Sequence, residues 1–321
     1  MKAFEYVTAQ TKTAAPGLLG EGGKYLAGGI DLLGEMKEYI TSPPRLVNIK
    51  RLPKMREITK ASDGSFLLGA NATVLEIASD AAIQSALPGL SEAASEVGSP
   101  QIRAVATLGG NLAQHSRCWY YRQRDLICLK RGGNTCFARD GQNKYHAIFS
   151  GNPCISPVVS NLAIALSALG AKAVVWRDGA EIKLSMAELY ADAWQNPLAQ
   201  NSLRPADLIT SVEIPAPVGK SAYLQVSEKS DFDWALVSCA ASGKVTDGKI
   251  TGASIFLGAV APVPFEVAEA NQSLEGKLLD DAAASAAADI LLKKATPATQ
   301  NAYKIAISRA LIRRTLLKLA V

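Results

Sequence analysis

The residues best suited to redox or metal chemistry sit in one stretch. Four of the five cysteines, Cys118, Cys128, Cys136 and Cys154, fall within residues 107–161, together with both histidines, His115 and His146, and the pair Gly109-Gly110. Gaps of nine, seven and seventeen residues separate the four thiols, which fits no compact CxxC zinc pattern. Thiolates select zinc or iron-sulfur clusters. Arg117, Arg122, Arg124, Lys130, Arg131 and Arg139 could offset the negative charge of such a centre, and Gly132-Gly133 would let backbone N–H groups approach the sulfurs. Buried free thiols and a single zinc ion are the alternatives. Disulfides fit poorly, because cysteine is sparse and odd in number and no secretory leader is visible, so the expected compartment is reducing and cytoplasmic.

A second chemical feature lies upstream. In KYLAGGIDLLGEMKEYI a short apolar strand runs into Gly28-Gly29 and then into a helical pattern. Two glycines let the backbone turn sharply and aim successive N–H groups at one spot, where a pyrophosphate would also meet the positive end of the next helix. Asp31 reads as the N-cap of that helix. An ordinary strand-turn-helix is the alternative, and GxGxxG is absent, so a Rossmann assignment has no support. QIRAVATLGGNLAQ makes a second apolar approach to a Gly-Gly pair. Two such turns predict two backbone cradles for one long ligand, and a dinucleotide such as FAD, with two phosphates and two ring systems, would use both.

Around these features the chain reads as ordinary globular protein. Its 321 residues, 48% hydrophobic and 20% charged with a formal charge of +5, allow two or three domains. The basic residues are dispersed, which gives nucleic-acid binding little support, and no apolar run is long enough to cross a bilayer. Strands are expected at MKAFEYVTA, LVNIKRL, FLLG, AKAVVWRDG and DLITSVEIPAP, the last ended by its prolines, and helices at 86–97, at SMAELYAD, at 281–292 and at the C-terminus. Asn71 or Thr73 would cap the helix that follows FLLG. Residues 215–220 form a boundary. In the last helix Tyr303, Ile307, Ala310 and Leu311 share one face, with Lys304, Ser308 and Arg309 elsewhere. Cys239, in an apolar strand, reads as a buried thiol.

LAGGIDLL, EVGSPQIRAVATLGGNLA, DWALVSCAAS, LGAVAPVPFEVAEA and the terminal ISRALIRR together resemble the FAD-binding subunit of the molybdenum hydroxylases, the xanthine dehydrogenase and carbon monoxide dehydrogenase group. The resemblance implies an α+β fold of the vanillyl-alcohol-oxidase/molybdenum-hydroxylase type. Its FAD-binding domain would span 1–216, with subdomains at about 1–54 and 55–216, and a C-terminal domain of the CO dehydrogenase flavoprotein type would span 217–321. By position it assigns Leu26, Ala27, Gly28, Gly29, Ile30 and Asp31 to the first flavin contact set, and Thr107, Gly110 and Asn111 to the second. The segment at about 114–156 is similar to the iron-sulfur insertion of bacterial aldehyde oxidoreductase and 4-hydroxybenzoyl-CoA reductase flavin subunits, which implies a 4Fe-4S cluster on Cys118, Cys128, Cys136 and Cys154. Where such subunits carry His-Pro-Ser-Asp, this chain has Val158, Val159, Ser160 and Asn161, so Asn161 takes the place of a flavin-binding aspartate. Lys229 falls where the family places a basic residue near the flavin ring, and Phe232 and Trp234 would shield it. The implied partners are a molybdenum-cofactor large subunit, a 2Fe-2S small subunit and an external electron acceptor, with an aldehyde, purine or related heterocycle oxidised elsewhere. Export of the assembled complex to the periplasm by a signal-bearing partner is the alternative location. A stand-alone flavin oxidase and a zinc-stabilised scaffold are the rival functions.

Overall fold

Residues 1–320 are described by a computed structural model, in which three sheets are arranged along the chain. Strands β1 (Glu5–Thr8), β2 (Lys24–Leu26) and β3 (Arg45–Asn48) form a parallel sheet in the order β1-β3-β2. Parallel neighbours need crossovers, here carrying the short helices Ala15–Leu19 and Leu32–Lys37. Leu46 and Val47 on adjacent positions of β3 are both fully buried, as expected for a central parallel strand covered on both faces.

The second sheet is antiparallel: β4 (Ile58–Lys60), β5 (Phe66–Gly69), β6 (Lys172–Arg177), β7 (Ala180–Ser185) and β8 (Leu208–Ile214), in the order β4-β5-β8-β6-β7. Helix Val74–Ser79 follows β5 through a capping box in which Thr73 and Glu76 satisfy each other's backbone N–H groups, a device worth about 1 kcal/mol. The helix expected at 86–97 is Pro88–Ser95, and a separate short helix that was not expected, Ala81–Ala86, precedes it. Pro88 cannot donate a backbone hydrogen bond to the preceding turn, yet serves well as the first residue of a new helix.

The third sheet, β9 (Lys220–Val226), β10 (Val237–Thr246) and β11 (Lys249–Gly258), is antiparallel in the order β11-β10-β9, with helices Asp281–Leu292 and Tyr303–Lys318 packed together and the latter on β10. Helix Asn161–Ala168 is apolar on every side and buried, as a helix clamped between layers must be. It packs on both Pro88–Ser95 and β10 and so joins the two halves. The last helix corrects the sequence reading: Lys304, Ser308, Leu311, Ile312, Thr315 and Leu316 form its buried face, while Ala310 is exposed. Lys304 is held on that face because its Nζ donates to the carbonyls of Tyr145 at 3.0 Å and Ala259 at 2.7 Å.

Candidate functional site

The first glycine segment joins β2 to helix Leu32–Lys37. The N–H groups of Gly28, Gly29 and Ile30 have no protein acceptor among the described residues, so the segment presents an open run of donors. Both glycines are required: a Cβ on Gly28 would meet the Val105 carbonyl oxygen at 2.2 Å, and Gly29 has φ +76°, a left-handed conformation that side chains disfavour. The Val105 contact places this turn directly against the chain that enters the second glycine pair.

The second pair corrects the expectation of two open cradles. Gly109 and Gly110 lie inside a short helix, Leu108–Leu112, capped by Thr107. Their N–H groups donate to the Ala70 carbonyl at 2.8 Å and to Thr107 Oγ1 at 3.2 Å. These glycines allow close approach instead, since a Cβ on Gly109 would come within 3.0 Å of Ala70 Cβ.

Between the two segments is a cavity of about 920 Å³, at the upper end of the roughly 300–1,000 Å³ typical of small-molecule sites. Leu26, Ala27, Gly28, Gly29, Ile30, Asp31, Thr107, Gly110, Asn111 and Asn161 all line it. Lys229 does not; it is exposed in the turn after β9, where its N–H donates to Asp233 at 3.3 Å. Phe232 and Trp234, 65% and 48% exposed, do line the cavity, with the Arg117 guanidinium 4.8 Å from the Trp234 ring centroid. Asn71, Leu203, Leu208 and Arg117 also line the cavity; no sequence motif places them there, because segments distant in sequence bring them together. Two buried polar atoms in this wall have no partner, Asn71 Oδ1 and Arg117 Nε. A buried polar atom without a partner is costly, so a polar ligand suits this cavity.

Asp31 occupies the N-cap position expected of it but makes no cap hydrogen bond. Its carboxylate instead accepts from Arg122 Nη2 at 2.6 Å and from the His115 N–H at 2.7 Å, and pairs with Arg117 at 3.0 Å. One helical turn on, buried Glu35 accepts from the Tyr121 hydroxyl at 2.9 Å and lies 3.1 Å from His115 Nδ1. Burial pushes the Glu35 carboxyl up, but hydrogen bonding and charge from His115, with Arg122 and Tyr121, outweigh it and hold the group below its ordinary range. The 114–156 segment is thereby pinned to the first glycine turn by charge.

Within that segment, Cys118, Cys128, Cys136 and Cys154 line one small cavity with Lys130 and His146. His146 Nε2 is 3.1 Å from Cys118 Sγ. A hydrogen bond from Cys154 draws the Cys136 thiol down to about 6 and holds Cys154 up, while burial raises Cys118 to about 11. Among the described residues, the one trio of His, Cys, Asp or Glu ligand atoms within 4.8 Å of one another is Asp31, Glu35 and His115, already matched by arginines. No three of the four sulfurs are that close, whereas a tetrahedral zinc ion holds thiolates roughly 3.8 Å apart. Cys239 is fully buried in β10, away from the quartet.

Fold and cavity together define a two-part flavoprotein. A family model described as the FAD binding domain in molybdopterin dehydrogenase matches residues 2–217, and one described as the CO dehydrogenase flavoprotein C-terminal domain matches residues 221–319. The chain is 30% identical over 316 residues to the aldehyde oxidoreductase FAD-binding subunit of Escherichia coli K12, covering 96% of each chain. It is 26% identical over 322 residues to the carbon monoxide dehydrogenase medium chain of Hydrogenophaga pseudoflava, covering 98% of this chain and 96% of that one. Its fold matches quinoline 2-oxidoreductase from Pseudomonas putida 86 with a TM-score of 0.77, across 100% of this chain and 98% of the other at 21% identity. The chain belongs to the FAD-binding subunits of the molybdenum hydroxylases. No helix among the described residues is long and apolar enough to cross a membrane.

Proposed function

We propose that this chain is the electron-carrying FAD subunit of a heteromeric molybdenum-dependent hydroxylase, and that its insertion holds a 4Fe-4S cluster on Cys118, Cys128, Cys136 and Cys154. The observation that carries the flavin reading is the run of open N–H groups at Gly28, Gly29 and Ile30 facing a dinucleotide-sized cavity. These amides suit a pyrophosphate. Asn71 Oδ1 and Arg117 Nε supply the unsatisfied polar atoms at the same wall, Asn161 contributes a neutral donor and acceptor, and Phe232 and Trp234 provide apolar cover. Bound FAD exchanges electrons singly with metal centres and in pairs with organic acceptors. Asp31, held by Arg117 and Arg122, fixes the turn that carries the amides.

Convergence of the four thiols on one cavity, too widely spaced for one zinc ion, supports the cluster. Buried basic groups, Lys130 and His146, flank it, and Arg139 closes the loop by donating to the Pro153 carbonyl at 2.6 Å. Oxidation of an aldehyde, purine or related heterocycle belongs in this reading to a molybdenum-bearing large subunit, with a 2Fe-2S small subunit relaying electrons to this chain and an external acceptor receiving them. Identity of 30% to the aldehyde oxidoreductase subunit, against 26% to the carbon monoxide dehydrogenase medium chain over a similar length, favours aldehydes.

The test is anaerobic production of the full chain alone. It should bind FAD, carry iron and sulfide in the ratio the cluster formula requires, and oxidise no aldehyde or purine. Turnover without partner subunits overturns the electron-carrier reading. Zinc in place of iron overturns the cluster.

A further inference from the structure

We propose that Lys130 is the charge-coupling residue of this subunit: a buried ammonium shared by the thiol cavity and the flavin cavity that favours the reduced state of both centres. The inference rests on the cluster reading above and deepens it.

Lys130 lies in the turn Leu129–Arg131, just after Cys128, and only 8% of it is exposed. It lines the cavity shared by the four cysteines and also the large cavity between the glycine segments. His146, the other buried basic side chain at the thiols, lines the thiol cavity alone. The Lys130 ammonium donates to the Ala199 carbonyl at 2.7 Å, which leaves two of its three donors for other groups. Among the described residues it forms no ion pair with a carboxylate, and the side chains that share the small cavity with it include the four thiols. Carboxylates nearby are already matched, Asp31 by Arg117 and Arg122, and Glu35 by His115 and Arg122.

A buried ammonium without an anion is strongly unfavourable. Here the anion is the thiolate-ligated centre. Each electron that such a centre gains adds one negative charge, and a fixed cation at its edge stabilises that state. Because the same ammonium borders the flavin cavity, it also favours the electron-rich form of the flavin. Its field therefore links two sites that share no ligand.

The experiment is a mediated redox titration of the full chain, reading the cluster by electron paramagnetic resonance and the flavin by absorbance, after iron, sulfide and flavin have been counted. Lys130→Met should retain both cofactors and move both midpoint potentials to more negative values, the cluster more than the flavin, while Lys130→Arg should stay near the parent. A purely structural role would change cofactor content without moving the potentials of the loaded fraction. Unchanged potentials in fully loaded Lys130→Met overturn the proposal. If Lys130→Met loses the cluster, retention in Lys130→Arg supports the need for a cation there, and loss in both variants overturns it in favour of packing. A parent chain without iron overturns the cluster reading itself, and with it this inference, before any potential is measured.

Discussion

Asp31 and Glu35 show how far a residue's role depends on what comes near it. Both are on the short helix after the first glycine turn, and each is held by side chains from the insertion, Asp31 by Arg117 and Arg122 and Glu35 by His115 and Tyr121. An N-cap role for Asp31 is the sound local expectation, since carboxylates favour that position. Two guanidiniums outcompete the helix amides because each sets a full positive charge against the carboxylate, where an amide offers only a dipole. Glu35 has a testable signature. Its folded value lies below its ordinary 4.5, so the unfolded chain binds the proton more readily. The stability it contributes is complete above the unfolded value and is lost as pH falls through the folded one. Chemical unfolding followed from neutral pH into that acidic window should show declining stability, and Glu35→Gln should flatten the decline. An equally steep profile in the variant would remove Glu35 from the account.

Among the elements, the two glycine segments look alike in sequence and act differently. The first is an open turn of free amides; the second is a capped helical turn whose amides are consumed internally. Spacing alone cannot separate these, because a Gly-Gly pair permits either a left-handed turn or a close helix contact. Gly28→Ala should abolish FAD binding, since the added carbon would lie 2.2 Å from the Val105 oxygen and the backbone would have to move. Gly34→Ala, with nothing within 4 Å of its added carbon, should bind FAD normally and gain about 1 kcal/mol of helix stability. Equal flavin content in the two purified variants would refute the packing argument. Strands β1 to β3 and the helix at 281–292 were readable from apolar patterning. β7 was not anticipated, because half of its residues are charged or exposed and it joins the sheet only through pairing with β6.

For the whole molecule, the insertion belongs to the C-terminal half as much as to the flavin domain. Ile148 and Phe149 both donate to the Val260 carbonyl, and Phe149 stacks on Phe265 at 4.0 Å. Asn301 Nδ2 donates to the His146 and Ala147 carbonyls at 3.0 and 3.1 Å. Lys304 completes this seam with no exposure to solvent. Burial lowers its ammonium from 10.5 to about 7. Between those values the unfolded chain keeps a proton that the folded chain has lost, so the Lys304 contribution makes stability rise with pH across that window. Lys304→Met should remove that rise, as read by unfolding midpoints at neutral and alkaline pH. A parallel profile in parent and variant would mean that Lys304 stays charged when buried.

Local residue types determined on their own that this chain carries a flexible glycine turn before a helix, a later thiol-rich excursion, and a C-terminal helix pair, because backbone freedom, thiol chemistry and apolar periodicity are properties of short segments. Tertiary structure alone decided which glycine pair offers free amides, that Lys229 stands away from the cavity while Phe232 and Trp234 face it, and that Lys304 turns inward. Each of these depends on groups many residues apart being brought together or kept apart by the fold, and the partner that arrives decides whether an amide, a ring or a charge is satisfied.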